Sequence, residues 1–256
     1  MTRCLFILLV AFFFSGPQIT HAADTRKSGF DVMRAATQAL QKDDSQNPAM
    51  LWVKDGEALW QRSEDGAAKS CASCHGDARN SMRGVAARYP AFSSALKRVI
   101  NLQQQINYCR STKQQAEPLP AEHQSLLSLE SYVALQSRGL AVAPPNDEGL
   151  MLARSRGEML FQQRIGQIAL SCKDCHVDNA GKALAGNVIP EAHPTGYPIY
   201  RLEWQGVGSL QRRLRNCMTG VRAEPYAFGS DELISLEVYL ASRANGMVVE
   251  SPAVRP

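Results

Sequence analysis

The sequence predicts a mainly α protein made of two copies of one small unit. Three observations lead there: a set of landmarks recurs in register in the two halves, each half carries one Cys-X-X-Cys-His motif, and apolar residues recur at helical intervals, with no alternating strand pattern of useful length. The landmarks are Gly56-Glu-Ala-Leu-Trp60, 15 residues before Cys71, and Gly157-Glu-Met-Leu-Phe161, 15 residues before Cys172. Further on, Pro90 of Tyr89-Pro90 precedes Cys109 by 19 residues, and Pro198 of Tyr197-Pro198 precedes Cys217 by the same 19. Each copy closes with a related helical stretch, Leu129–Ala134 and Leu236–Ala241.

Taken in chain order, residues 1–23 read as an export signal, because Arg3 precedes the apolar run Leu5–Phe14 and Thr20-His21-Ala22-Ala23 supplies small residues for cleavage near 22 or 23. No later run reaches the roughly 20 apolar residues of a membrane span, so an exported periplasmic protein without a span is expected. Cys4 leaves with the signal, and six cysteines stay. Phe30–Leu40 has helical periodicity and is expected to pack across the first domain. The first domain then spans 24–143 and the second 144–256, joined at the proline-containing stretch Ala141–Asn146. The second copy carries seven extra residues within 177–196, read as a loop insertion that adds no element. Asp231-Glu232 opens the last helix, where acidic side chains favour the N-terminus, and Asn245-Gly246 stops it.

The motifs carry the chemistry. In Cys71-Ala-Ser-Cys74-His75 and Cys172-Lys-Asp-Cys175-His176 the two thiols can bond the vinyl groups of a porphyrin while the histidine binds its iron. Two such motifs predict two covalently bound haem c groups, hence tandem duplicated cytochrome c-like domains. Each haem would supply core that about 100 residues can barely build alone. His75 and His176 are the expected proximal iron ligands.

Cys109 and Cys217 remain. In an oxidising compartment a disulfide between them is one reading. Their equivalent positions in the repeat favour another, since apolar residues recur at three, four and three before each: Val99, Leu102, Ile106 and Val207, Leu210, Leu214. This places both thiols on the buried face of an amphipathic helix, as small buried side chains or as distal iron ligands that lower the haem potential. Met82 and Met218 have no equivalent in the opposite copy, and His123 and His193 read as surface or loop residues. The copies also differ four residues before the cysteine, where Gln105 in the first is Arg213 in the second. One helical turn from Cys217, Arg213 would favour its thiolate and hold an anionic substrate there, with Arg212, Arg215 and Arg222 extending the positive field.

With Asn47-Pro48, Leu51-Trp52, Gly56–Trp60, both Cys-X-X-Cys-His motifs, Ile106-Asn-Tyr-Cys-Arg110 and Arg213-Leu-Arg-Asn-Cys-Met218, the chain resembles the SoxA subunits of SoxAX cytochromes, the L-cysteine S-thiosulfotransferases of sulfur oxidation. The resemblance implies that His75 and Cys109 ligate the first haem and that His176 and Cys217 ligate the second. It also implies that Cys217 carries a persulfide and that Arg213 is the active-site arginine. The implied reaction couples thiosulfate to a cysteine thiol of a SoxYZ-type sulfur carrier, with two electrons passed to c-type cytochromes. A SoxX-type monohaem cytochrome is the implied partner. A formal charge of +4 and a pI near 8.7 are mild and give no reason to expect nucleic acid binding. The competing readings are a plain dihaem electron-transfer protein without transferase activity and a dihaem peroxidase. The cysteines at both distal positions argue against the peroxidase.

Overall fold

Equivalent helices in the two halves meet at glycines. The computed structural model describes residues 24–63 and 69–256, so the export-signal reading of 1–23 lies outside the described residues. In the first half α2 (Ala49–Gln61) crosses α6 (Gln124–Leu135), and in the second α7 (Glu148–Gln162) crosses α10 (Asp231–Arg243). A Cβ at Gly56 would stand 2.0 Å from the Ser128 carbonyl oxygen, and one at Gly157 would stand 1.9 Å from that of Ser235. The recurring glycine is therefore where two backbones touch, and the aromatic residue one turn later packs into the core beside it: Trp60 on Tyr132 and Phe161 on Tyr239, with ring centroids 5.9 and 5.3 Å apart.

Local signals set the helix starts. Pro48 precedes α2, a position that asks for no amide hydrogen, and Asn47 Oδ1 accepts from the Ala49 amide at 3.0 Å. Ser230 caps α10, whose first turn holds Asp231 and Glu232; it ends at Arg243, close to the expected stop, with Gly246 at φ +85. The short α3 (Cys71–His75), α4 (Ala78–Ser81) and α8 (Cys172–His176) carry or follow the motifs.

Short strands were not legible in the sequence. Antiparallel β1 (Ala91–Ser93) and β2 (Arg98–Ile100) precede α5 (Leu102–Cys109). Their counterparts β5 (Ile199–Arg201) and β6 (Gly206–Gly208) precede α9 (Leu210–Gly220). The insertion adds a small hairpin of its own, β3 (Ala183–Leu184) with β4 (Asn187–Val188), contrary to the expectation of plain loop. Strands of two or three residues are too short to show alternation. The three-four-three pattern is likewise split. Val99 lies in β2 and Val207 in β6, because Asn101 and Ser209 cap the helices immediately downstream, accepting from Gln104 N at 3.0 Å and Arg212 N at 3.1 Å.

The N-terminal segment does not simply cover the first half. From α1 (Ala35–Lys42) it clamps the chain's C-terminal strand β7 (Ala253–Arg255), which adds to β5 in parallel. Asn47 Nδ2 donates to the Pro252 carbonyl at 3.0 Å, and Gln41 Oε1 accepts from Val254 N at 3.0 Å. Leu40, Ala49 and Trp52 pack with Leu127, Tyr200, Val207 and Val254, so one cluster draws on both ends of the chain. Residues 139–142 pair with 246–249 through Gly139 N to Val249 O, Val142 N to Met247 O and Val249 N to Leu140 O, so the expected joint begins in paired backbone.

Where the halves meet, a cavity of about 100 Å³ is lined by equivalent residues from each, including Tyr89 and Tyr197, Pro90 and Pro198, and Glu130 and Glu237. Gln103 Nε2 donates to Glu130 Oε2 at 2.7 Å, and Asn101 Nδ2 donates to Glu237 Oε1 at 3.1 Å. Burial pushes Glu130 up to about 8 and Glu237 up to about 7, against the opposing pull of those amides; the Glu237 charge adds to the rise at Glu130.

Candidate active site

Both Cys-X-X-Cys-His motifs fold as single helical turns closed by a reciprocal cap, which explains the serine before each. Ser70 Oγ accepts from Ser73 N, and Ser73 Oγ accepts from Ser70 N, both at 3.1 Å. Ser171 Oγ accepts from Asp174 N at 3.1 Å, and Asp174 Oδ2 accepts from Ser171 N at 2.9 Å. The Ser171 backbone and hydroxyl, with Arg164 beyond them, hold the Asp174 carboxyl below its ordinary value.

In the first half, Cys71, Ala72 and Ile106 pack against Trp60, Leu102 and Tyr132. Trp60 Nε1 donates to the Gly76 carbonyl at 2.9 Å, and its ring lies 5.7 Å from that of His75. Cys109 ends α5, where Gln105 Nε2 donates to its Sγ at 3.3 Å. Burial pushes the Cys71 thiol up.

In the second half, Cys172 packs with Leu210, Leu214 and Tyr239 around Phe161 and Met218. His176 Nδ1 lies 2.7 Å from the Pro190 carbonyl. A carbonyl only accepts, so Nδ1 carries the hydrogen and Nε2 is left free for a metal ion. This contact gives the insertion a purpose that its composition did not show: it carries the acceptor that orients the histidine. Burial lowers the His176 pKa, and Arg213 and Arg243 lower it further. Burial pushes Cys172 up to about 11, with the Cys217 charge next in weight, and Cys175 rises for the same two reasons. Cys217 lies on α9, one turn beyond Arg213, within electrostatic reach of both motif thiols.

The donor sets fit covalently attached haem. Each half carries two motif thiols, an imidazole and a further thiol on its next long helix, with Cys71 and Cys172 packed against the apolar clusters, and the six cysteines among the described residues are all free. Arg213 turns toward a carboxylate: its Nη1 lies 3.5 Å from Glu203 Oε1. Arg201 Nε reaches the same carboxylate oxygen at 2.8 Å.

Other expectations change. Arg212 stacks on Trp204 at 4.3 Å, and Arg215 stacks on Phe228 at 4.5 Å while bonding the Tyr226 carbonyl, so both hold the local fold as well as adding charge. Arg222 sits at φ +58 in the turn after α9. His123 is exposed and caps α6, as a surface reading expects. His193 lies in a loop, as expected, but is buried: its side chain is 3% exposed, with Nε2 3.1 Å from Glu191 Oε2. Met82 and Met218 are core side chains. Sequence reasoning missed Arg201 and Glu203, and took Tyr197 only as a landmark of the repeat. The available signal was a position-by-position comparison of the repeats beyond the cysteines.

Comparison with known proteins supplies the wider setting. A family model described as SoxA/TsdA, cytochrome c domain, matches residues 55–142 and 156–249. A protein of Pseudaminobacter salicylatoxidans named L-cysteine S-thiosulfotransferase subunit SoxA is 39% identical over 93% of this chain and 86% of its own length. One of the same name from Rhodovulum sulfidophilum is 33% identical over 93% and 84%. The crystal structure of SoxXA from P. pantotrophus contains a chain that superposes with a TM-score of 0.85 at 33% identity, covering 90% of this chain and 87% of that one.

Proposed function

The chain belongs to the SoxA/TsdA cytochrome c domain family, and from that premise we propose that it is the catalytic subunit of an L-cysteine S-thiosulfotransferase. Covalently bound haem c follows from the family. Two such groups, on Cys71, Cys74, His75 and on Cys172, Cys175, His176, with Cys109 and Cys217 as distal ligands, belong to the proposal. Bound there, the haems supply one-electron redox chemistry.

Thiosulfate and a carrier cysteine thiol join through a new S–S bond to give a cysteine S-thiosulfonate, releasing one proton and two electrons. The electrons leave to c-type cytochromes. Cys217 is the sulfur-exchange residue, carried as a persulfide, since a polarizable thiolate or persulfide suits exchange at sulfur. Arg213 orients the oxyanion through charge-assisted hydrogen bonds. The name of the matched SoxXA structure supports a SoxX-type partner, and the relatives' names are consistent with a SoxYZ-type carrier. Among the described residues no helix is long and apolar enough to cross a membrane, which is compatible with the proposed periplasmic location.

The observation that supports it is that Cys217 lies on α9, one turn beyond Arg213, near enough to Cys172 and Cys175 for its charge to raise both thiols. Cys217→Ala, purified with both haems, tests it: thiosulfate coupling should fall by orders of magnitude, and unchanged coupling would defeat the role given to Cys217. Peptide mapping of protein purified without reductant should find one reducible sulfur on Cys217.

A further inference from the structure

Arg201, Glu203 and Arg213 form a cluster that the first half of the chain lacks. Arg201 lies at the end of β5, 12% exposed, and Arg213 lies on α9, 33% exposed; both meet Glu203 Oε1, at 2.8 and 3.5 Å. In the first half the same register holds Ser93, Ala95 and Gln105. The halves otherwise share hairpin length, a capped helix start and cysteine position, and they differ at all three of these positions.

Two guanidiniums meeting on one carboxylate oxygen have the form of an anion seat. The planar fork of arginine suits oxyanions, and two forks from different elements can grip a small dianion from two sides. Burial lowers the Arg201 pKa, and the Arg213 charge lowers it further, so the two cations repel and gain from a shared negative partner. Tyr197, pushed up by burial, lies within the electrostatic reach of Arg213, Arg201 and Cys217. Glu203 is 48% exposed and can swing into water.

We propose that Arg201 and Arg213 together seat the thiosulfate dianion beside Cys217, and that Glu203 occupies the seat as an internal competitor that the substrate displaces. The proposal rests on the transferase reading and adds a second binding residue and a gate. Glu203 supplies one negative charge where thiosulfate brings two, so the exchange favours the substrate while weaker monoanions are held off.

The test is calorimetric titration of thiosulfate into the haem-loaded full chain at low ionic strength, with KM and kcat of the coupling reaction measured alongside. Glu203→Gln removes the competitor and should tighten thiosulfate binding several-fold and lower KM, with haem content and spectrum unchanged. Arg201→Gln removes a charge-assisted contact and should weaken binding about tenfold or more. Binding by Glu203→Gln no tighter than wild type overturns the gate, and wild-type affinity in Arg201→Gln overturns the seat. Should Arg201→Gln fail to take up haem, the surface variant Glu203→Gln decides alone. Wild-type protein that neither binds nor couples thiosulfate would sink the transferase reading and this proposal with it. Wild-type coupling with both variants unaltered would sink only this one.

Discussion

Raising the pH from 6.5 to 8.5 should weaken the seam between the two halves, because the seam encloses two carboxyl groups that the fold keeps protonated. Glu130 and Glu237 line one cavity, and burial lifts them to about 8 and about 7 from an ordinary 4.5. The folded state then binds more protons than the unfolded chain between pH 4.5 and 8. Stability is fullest below 4.5 and falls as pH rises, until both groups have ionised. Each pH unit spent in that window costs up to about 1.4 kcal/mol per carboxyl, which amounts to about 2–3 kcal/mol between pH 6.5 and 8.5 for the pair. Starting at 6.5 leaves only the upper half of the opposing titration of His193, whose pKa burial lowers. The assay is guanidinium unfolding of the haem-loaded protein at both pH values, followed by far-ultraviolet circular dichroism. Glu237→Gln keeps the uncharged shape and removes one titration, so it should lose less than wild type across the interval and exceed it at pH 8.5. Equal wild-type stability at the two pH values, or a Glu237→Gln variant no more stable than wild type at pH 8.5, would refute the reasoning.

Two further outcomes follow from named contacts. Gly157→Ala places a carbon 1.9 Å from the Ser235 carbonyl oxygen, where backbone cannot yield cheaply, so α7 and α10 must part; the expected cost is about 3 kcal/mol or more, read as a lowered unfolding midpoint. Gln105→Leu removes the 3.3 Å hydrogen bond to Cys109 Sγ. With Cys109 as a ligand, the sulfur becomes the stronger donor, so redox titration should show the first haem potential falling while the second holds; a fall at both or at neither would separate Gln105 from that role.

The legible parts of this chain were those written in local spacing. A motif such as Cys172–His176 spans one helical turn, and the landmarks recur at constant offsets because each helix, cap and cysteine repeats a local rule. The strands escaped because two or three residues carry no period. β7 escaped for a different reason: its pairing with β5 and its clamp by Gln41 join residues from opposite ends of the chain.

By itself the sequence determined the duplication, the two Cys-X-X-Cys-His motifs, the paired cysteines and the presence of Arg213 where the first half has a glutamine, since each can be seen within one segment or by laying one half over the other. Only the tertiary structure decided that His176 is oriented by a carbonyl from the inserted hairpin region, that two glutamates share the seam, and that Arg201 meets Arg213 across Glu203. Those are contacts between side chains far apart in sequence. Burial and charge at such places depend on how the elements pack, which no local pattern records.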